Sequence, residues 1–349
     1  MRWLAAFFIF SLPLLAKWEC PLPKKCNCYN SSIDDSDLFR RCEKVIFVNA
    51  EFLYWKVEEG ADDYAIRTTR APRNNTAVLQ ATGTYEKASF DWEPGFRLSV
   101  GYFNAPKYWE VRGQYTQLYA KGENSVDAPG FPLFLNGTFT QYLTGNLTRA
   151  ETKNQLHYHV ADILIDRMFL PNPHLRMRVY GGLTGGFFDQ KWRIRYLDDI
   201  NVETIMNEWK FNGAGFRVGV SFDWYWKCDF YVTGLVTFAS LVGRYKNFSD
   251  INSGANISGS DNIDQPFKET TFKDTRLVFH PQFYLGPSYQ RSFRCFRFEV
   301  FAGYELNTWF NLVEVFRSTQ QSASLAKETR INDSVLGLHG LTVRLNMDF

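Results

Sequence analysis

Beyond its first sixteen residues the sequence holds no apolar run of the ~20 residues that a membrane-spanning helix requires. It holds no basic run and no recognition-helix pattern either, and its net charge is only +2. Nucleic acid and strongly acidic partners therefore find no support. No G-x-S-x-G elbow, H-E-x-x-H helix or phosphate loop is present, so nothing points to an enzyme. Internal repeats and low-complexity segments are also missing. Six cysteines occur, but the N-terminal four are spaced C-x5-C-x-C-x13-C, without paired C-x2-C knuckles and with no histidine nearby. That spacing argues against a zinc site, and no metal or cofactor is expected.

What is present begins with an export signature. Arg2 gives a positive n-region, Trp3 to Leu15 an apolar stretch, and Ala16 a small residue ahead of Lys17. Residues 1–16 are expected to be a removable secretory signal. No lipoprotein box leads into Cys20. Residues 17–44 form a cysteine-rich segment, and 45–349 a third region in which strand signals dominate.

Mean hydropathy is −0.30, yet 17% of residues are Phe, Trp or Tyr. Strands with one apolar and one polar face reconcile these values, because the faces cancel in any averaging window. The cleanest example is 108–117, where Trp109, Val111, Gly113 and Tyr115 alternate with Glu110, Arg112, Gln114 and Thr116. A period of two places one side against an apolar medium and the other against water or a polar interior. The pattern recurs at 45–56, 90–103, 154–169, 175–187, 209–224, 229–243, 274–289, 296–310 and 341–349. Each is close to the ~9–11 residues of a tilted membrane-crossing strand. Within 154–169 the apolar set shifts from Leu156, Tyr158 and Val160 to Ile163 and Ile165. That shift predicts a β-bulge near Ala161. A continuation past 187, with Trp192, Ile194 and Tyr196 against Lys191, Arg193 and Arg195, extends one strand above the membrane.

The links between strands alternate in length. Residues 104–107, 171–174, 226–229 and 290–294 are short and turn-like; 57–89, 121–153, 244–273 and 311–333 are long and polar. Short turns on one side and long loops on the other is the asymmetry of outer-membrane barrels. The expected fold is all-β: one antiparallel transmembrane barrel of about ten strands, with periplasmic turns and extracellular loops.

Given that alternation, the inward face is rich in arginine. Arg97, Arg112, Arg176, Arg178, Arg217, Arg276, Arg297 and Arg344 fall there, with Arg193, Arg195 and Lys191, against Glu51, Glu110, Glu299 and Glu305 and also Asp223 and Asp348. A basic lining favours anion passage, whereas a narrow barrel would fill its interior with the same residues as paired charges. His157, His159, Asp162 and Asp166 lie close in sequence, and the two histidines are read as polar lining rather than acid–base catalysts. Trp55, Trp92, Trp109, Trp192, Trp224 and Trp309 lie toward strand ends and suit an interfacial girdle. Asn-x-Ser/Thr sequons at Asn30, Asn74, Asn136, Asn146, Asn247, Asn256 and Asn332 are read as chance occurrences in polar sequence. Cys20, Cys26, Cys28, Cys42, Cys228 and Cys295 all fall on the periplasmic side, where disulfides form. Their spacing leaves the pairing open.

The final residues, LTVRLNMDF at 341–349, resemble the last strand of outer-membrane proteins, which ends on an aromatic recognised during insertion. More specifically, VNAEFLYWKVEEGADDYA (48–65), FDWEPGFRLSVGY (90–102) and GFRVGVSFDW (215–224) resemble the Legionella and chlamydia-like major outer-membrane protein family, and the likeness runs from Val48 to Phe349. It implies a pore-forming barrel and carries over no catalytic residue. It also makes disulfide cross-links to other cysteine-rich envelope proteins attractive. The expected function is passive diffusion of small hydrophilic solutes through an outer-membrane porin, with outer-membrane lipid as the surrounding partner. The alternative is a surface adhesin or structural envelope protein with a closed barrel.

Overall fold

The computed structural model describes residues 44–69, 83–104, 107–139, 147–172, 174–226, 229–255, 265–293, 296–318 and 328–349. In chain order its strands are β1 (Lys44–Glu59), β2 (Asp63–Thr68), β3 (Gly83–Lys87), β4 (Trp92–Asn104), β5 (Trp109–Asp127), β6 (Phe134–Gly137), β7 (Arg149–Asn172), β8 (Leu175–Leu197), β9 (Asn201–Tyr225), β10 (Phe230–Ala255), β11 (Gln265–Ser292), β12 (Arg297–Ser318) and β13 (Glu328–Asp348). Ten of them close into an antiparallel ring ordered β1-β13-β12-β11-β10-β9-β8-β7-β5-β4, with β4 pairing back onto β1. These ten are the strands expected from the alternation. The short β3, β2 and β6 form a separate three-stranded sheet within segments that read as loop. The expected signal (1–16) and cysteine-rich segment (17–44, except Lys44) lie outside the described residues, as do all six cysteines.

The ring places an apolar belt outside. Ile46, Val48 and Phe52 on β1, Ile163 and Ile165 on β7, Val236 and Phe238 on β10, and Leu341 and Leu345 on β13 are all exposed. In water such a surface would drive aggregation; here it meets hydrocarbon. Their inward neighbours, such as Glu51, Arg97, Asp162 and Thr342, are buried.

The strands are much longer than a crossing needs. β7 has 24 residues and β11 has 28, against the ~9–11 that span a bilayer. Parts of the expected long loops, among them 121–127, 149–153, 244–255, 265–273 and 311–318, are thus continuations of strands. They read as loop because above the membrane the outer face meets water and carries residues such as Lys121, Glu123, Lys153 and Lys191, erasing the apolar-outward signature.

The same inversion removes the expected bulge. β7 pairs with β5 and β8 in unbroken register through Ala161, and its only slip lies between Phe169 and Asn172. Ile163 and Ile165 face lipid, whereas Leu156, Tyr158 and Val160 face inward and are buried. The apolar residues change sides because the solvent changes, not the backbone. β8 behaves alike: Phe187 is exposed outward, Phe188, Trp192, Ile194 and Tyr196 are buried inward, and Lys191 and Arg193 are exposed, with Arg195 half-buried beside them. The expected inward placement of Lys191, Arg193 and Arg195 is therefore reversed. Within the membrane the barrel is polar inside and apolar outside; above it, the arrangement is that of a water-soluble core.

Candidate functional site

The barrel interior gathers nearly all the chemistry the sequence offered, in layers. Nearest the periplasm, Arg176 pairs with Asp223 (2.7 Å), Arg297 with Asp348 (2.5 Å), Arg344 with Glu299 (3.5 Å), and Arg178 and Arg112 with Glu110 (3.3 and 3.8 Å). A cavity of about 70 Å³ lies among Arg112, Arg178, Arg344, Glu110 and Glu299, room for a few water molecules.

Above it a hydrogen-bonded chain crosses the lumen. Arg97 on β4 donates to Glu51 on β1 (2.5 Å), to Glu305 on β12 (2.7 Å) and to Thr116 on β5 (3.0 Å). Glu305 also accepts from Thr342 (2.7 Å) and from Gln282 on β11 (2.6 Å). Gln282 in turn accepts from Arg217 on β9 (2.8 Å), whose Nε lies 3.2 Å from Asp162 on β7. Charge-assisted bonds of this kind, all buried, hold opposite walls in a fixed relation.

The next layer is aromatic. Trp309 of β12 meets Phe188 of β8 (ring centroids 4.7 Å), Tyr158 of β7 (6.1 Å) and His280 of β11 (3.8 Å). Tyr158 also contacts Trp55 of β1 (6.5 Å), and Phe188 stacks on Phe211 of β9 (6.0 Å). Four strands separate β7 from β12 in either direction around the ring. The Tyr158–Trp309 contact therefore spans the barrel's full diameter. Space for Phe211 comes from Gly213 and Gly243, which pair directly across β9 and β10. A Cβ on either would come within 2.6 Å of the Phe211 ring.

Topmost, in the extracellular half, Glu59 accepts from Gln190 (3.0 Å), which also bonds Asn154 (2.9 Å). Burial lifts the Glu59 carboxyl to about 7, with neighbouring Asp62 adding to the effect and the bonds from Gln190 and Asn154 opposing it. Arg276 pairs with Glu314 beside the ring of Tyr245.

All twelve residues expected to line the interior do face it: Arg97, Arg112, Arg176, Arg178, Arg217, Arg276, Arg297, Arg344, Glu51, Glu110, Glu299 and Glu305. Each of these arginines has a carboxylate partner. Two of those partners, Asp162 and Glu314, were not among the expected lining: Asp162 was read only in the cluster with His157, His159 and Asp166, and Glu314 lay beyond the expected end of its strand. His157 and His159 are not interior lining. They face outward beside Tyr119 (centroids 4.4 Å) and Tyr115 (Tyr115 Oη to His159 Nδ1, 2.8 Å), on the opposite face from Asp162 and Asp166. The expected tryptophan girdle divides likewise. Trp92 and Trp224 are exposed, Trp109 is half-buried against Tyr102 (5.6 Å), and Trp55, Trp192 and Trp309 are core residues. The missed signal was parity: counted in twos from the lipid-facing residues of the same strand, these three tryptophans fall inside.

Over residues 42–349 the chain matches the family of the Legionella pneumophila major outer membrane protein precursor. It belongs to that family. The protein is therefore a bacterial outer-membrane protein, consistent with the lipid-facing belt. Solved structures similar to this member of the family include the outer membrane protease OmpT from Escherichia coli, at 9% identity and TM-score 0.44, covering 87% of this chain and 96% of that one. A Pseudomonas aeruginosa FadL homologue is similar at 7% identity and TM-score 0.23, covering 88% and 90%. The Pseudomonas putida toluene transporter TodX is similar at 7% identity and TM-score 0.25, covering 89% and 90%. No curated protein matches.

Proposed function

We propose that this family member is a closed barrel: a membrane anchor with a solid interior, whose extracellular half acts as a surface adhesin or structural element of the envelope. The observation carrying this reading is the contact of Tyr158 and Trp309 across the full diameter. Both are at most 2% exposed, as is Glu305 in the layer beneath. A hydrated ion needs a continuous water-wide path, and side chains lining one would be wetted. The rings sit on the barrel strands β7 and β12 themselves rather than on an inserted loop. The small sheet β3-β2-β6 and the strand tips are then the working surface.

Planar-bilayer recording of the refolded mature protein tests this. Silence from protein shown to be folded barrel is the expected result; discrete, reproducible steps overturn it. A second reading, a porin for small hydrophilic solutes, draws on the charged cavity at the periplasmic end and on the family likeness. Under that reading the sign of the reversal potential in a salt gradient reports selectivity. The presence of a carboxylate partner for each of these interior arginines weakens the case for anion preference. Disulfide cross-links to neighbouring envelope proteins through the cysteines, expected on the periplasmic side, would fit the structural role.

A further inference from the structure

The outer surface carries a row of like charges where the lipid belt ends. On β9, β10 and β11, Ala214, Val242 and Leu277 lie side by side in register as the belt's upper margin. Two residues higher, the row is Asn212, Arg244 and Thr275; two higher again, it is Lys210, Lys246 and Lys273. All three lysines and Arg244 are exposed. Lys246 directly faces a lysine on each side, a pairing that is repulsive in a sheet. Lys210 bonds Asp189 (2.8 Å), and the nearby Glu208 is engaged by Lys191 (3.5 Å). Among the described residues no ion pair joins Arg244, Lys246 or Lys273 to a carboxylate. The acidic residues of β10 and β11, Asp250 and Glu269, face one another two rows further out.

Such a row favours an anionic neighbour, and its height says which. Immediately below, Val242, Leu277 and the stacked rings of Phe238 and Phe279 (5.8 Å) offer a surface for acyl chains. Lys246 and Lys273 stand one inter-strand spacing of about 5 Å apart, and Arg244 lies about 7 Å down the strand from Lys246, a spread wide enough for a headgroup bearing more than one phosphate. We infer that this face binds a phosphorylated glycolipid of the outer leaflet, its phosphates held by Arg244, Lys246 and Lys273 and its chains laid on the β9–β11 belt. The ion pairs are charge-assisted and stand at the edge of a low-dielectric slab, where they are screened less than on an open surface. This assignment is independent of whether the lumen conducts.

The test compares the wild-type protein with Lys246→Gln/Lys273→Gln in phosphatidylcholine nanodiscs, with and without diphosphoryl lipid A. Thermal unfolding is read from tryptophan fluorescence. Without lipid A the variant should be at least as stable as wild type, because a repulsion has been removed. With it, the wild type should gain several degrees and the variant little, while Lys121→Gln/Lys153→Gln on the β5–β7 face keeps the full gain. Arg244→Gln alone, one row lower, should lose part of the gain and serves if the double variant folds poorly. An equal gain in wild type and in Lys246→Gln/Lys273→Gln, no gain in wild type, or the same gain from inorganic phosphate alone would each overturn the assignment.

Discussion

The carboxyl of Glu59 offers the sharpest handle on the extracellular half of the barrel. It is buried there, and burial raises its pKa from 4.5 to about 7. A carboxyl whose folded pKa is raised binds its proton more tightly when folded. The resulting stabilisation is complete below the unfolded value near 4.5 and is lost as pH climbs through 7. At 1.36 kcal/mol per unit, the shift corresponds to about 3 kcal/mol between pH 4 and pH 8, an upper bound for a group this buried. Glu59→Gln keeps the shape and an oxygen to accept the Gln190 bond, but cannot ionise. The variant should match wild type near pH 4 and exceed it by up to about 3 kcal/mol at pH 8. Urea unfolding of both proteins in the same detergent, followed by tryptophan fluorescence from pH 4 to 8, gives the difference curve, in which other titrating groups cancel. Parallel curves would refute the reasoning, since Glu59 would then be solvated and the extracellular half of the interior not closed.

Other expectations concern the layers below and the outer face. Arg97→Ala should cost about 3–5 kcal/mol by stranding Glu305 and Glu51 in the core; joint replacement of all three by apolar residues of similar volume should recover most of that in the same unfolding assay. Ile163→Arg, in the lipid belt, should cost about 2–4 kcal/mol, whereas Lys153→Ala, on the same face of β7 but above the membrane, should stay within about 0.5 kcal/mol. Equal costs at the two positions would contradict the change of solvent along one strand. Gly243→Ala should cost about 1–3 kcal/mol by driving a methyl into Phe211, read as a lowered unfolding midpoint; no change would mean that the aromatic layer is loosely packed.

Much of this was legible in the chain itself. Where one face of a strand meets lipid, the two-residue period is forced. Ile46 through Tyr54, Phe96 through Tyr102 and Leu341 through Phe349 therefore declared both their strands and their orientation, and with them the arginines and glutamates on the opposite face. The C-terminal aromatic and the export signature pointed to the membrane, and the match over residues 42–349 agrees. Tertiary structure alone decided what happens above the bilayer. An apolar residue there turns inward, and no local pattern marks the height at which lipid gives way to water. Leu156, Tyr158, Trp192 and Trp309 consequently looked like lipid-facing or girdle residues. Which side chains meet across the closed ring was equally beyond sequence. Tyr158 and Trp309 are far apart in the chain, and only the circumference of a ten-stranded barrel brings their rings together and determines whether an interior of charged and aromatic side chains is a channel lining or a core.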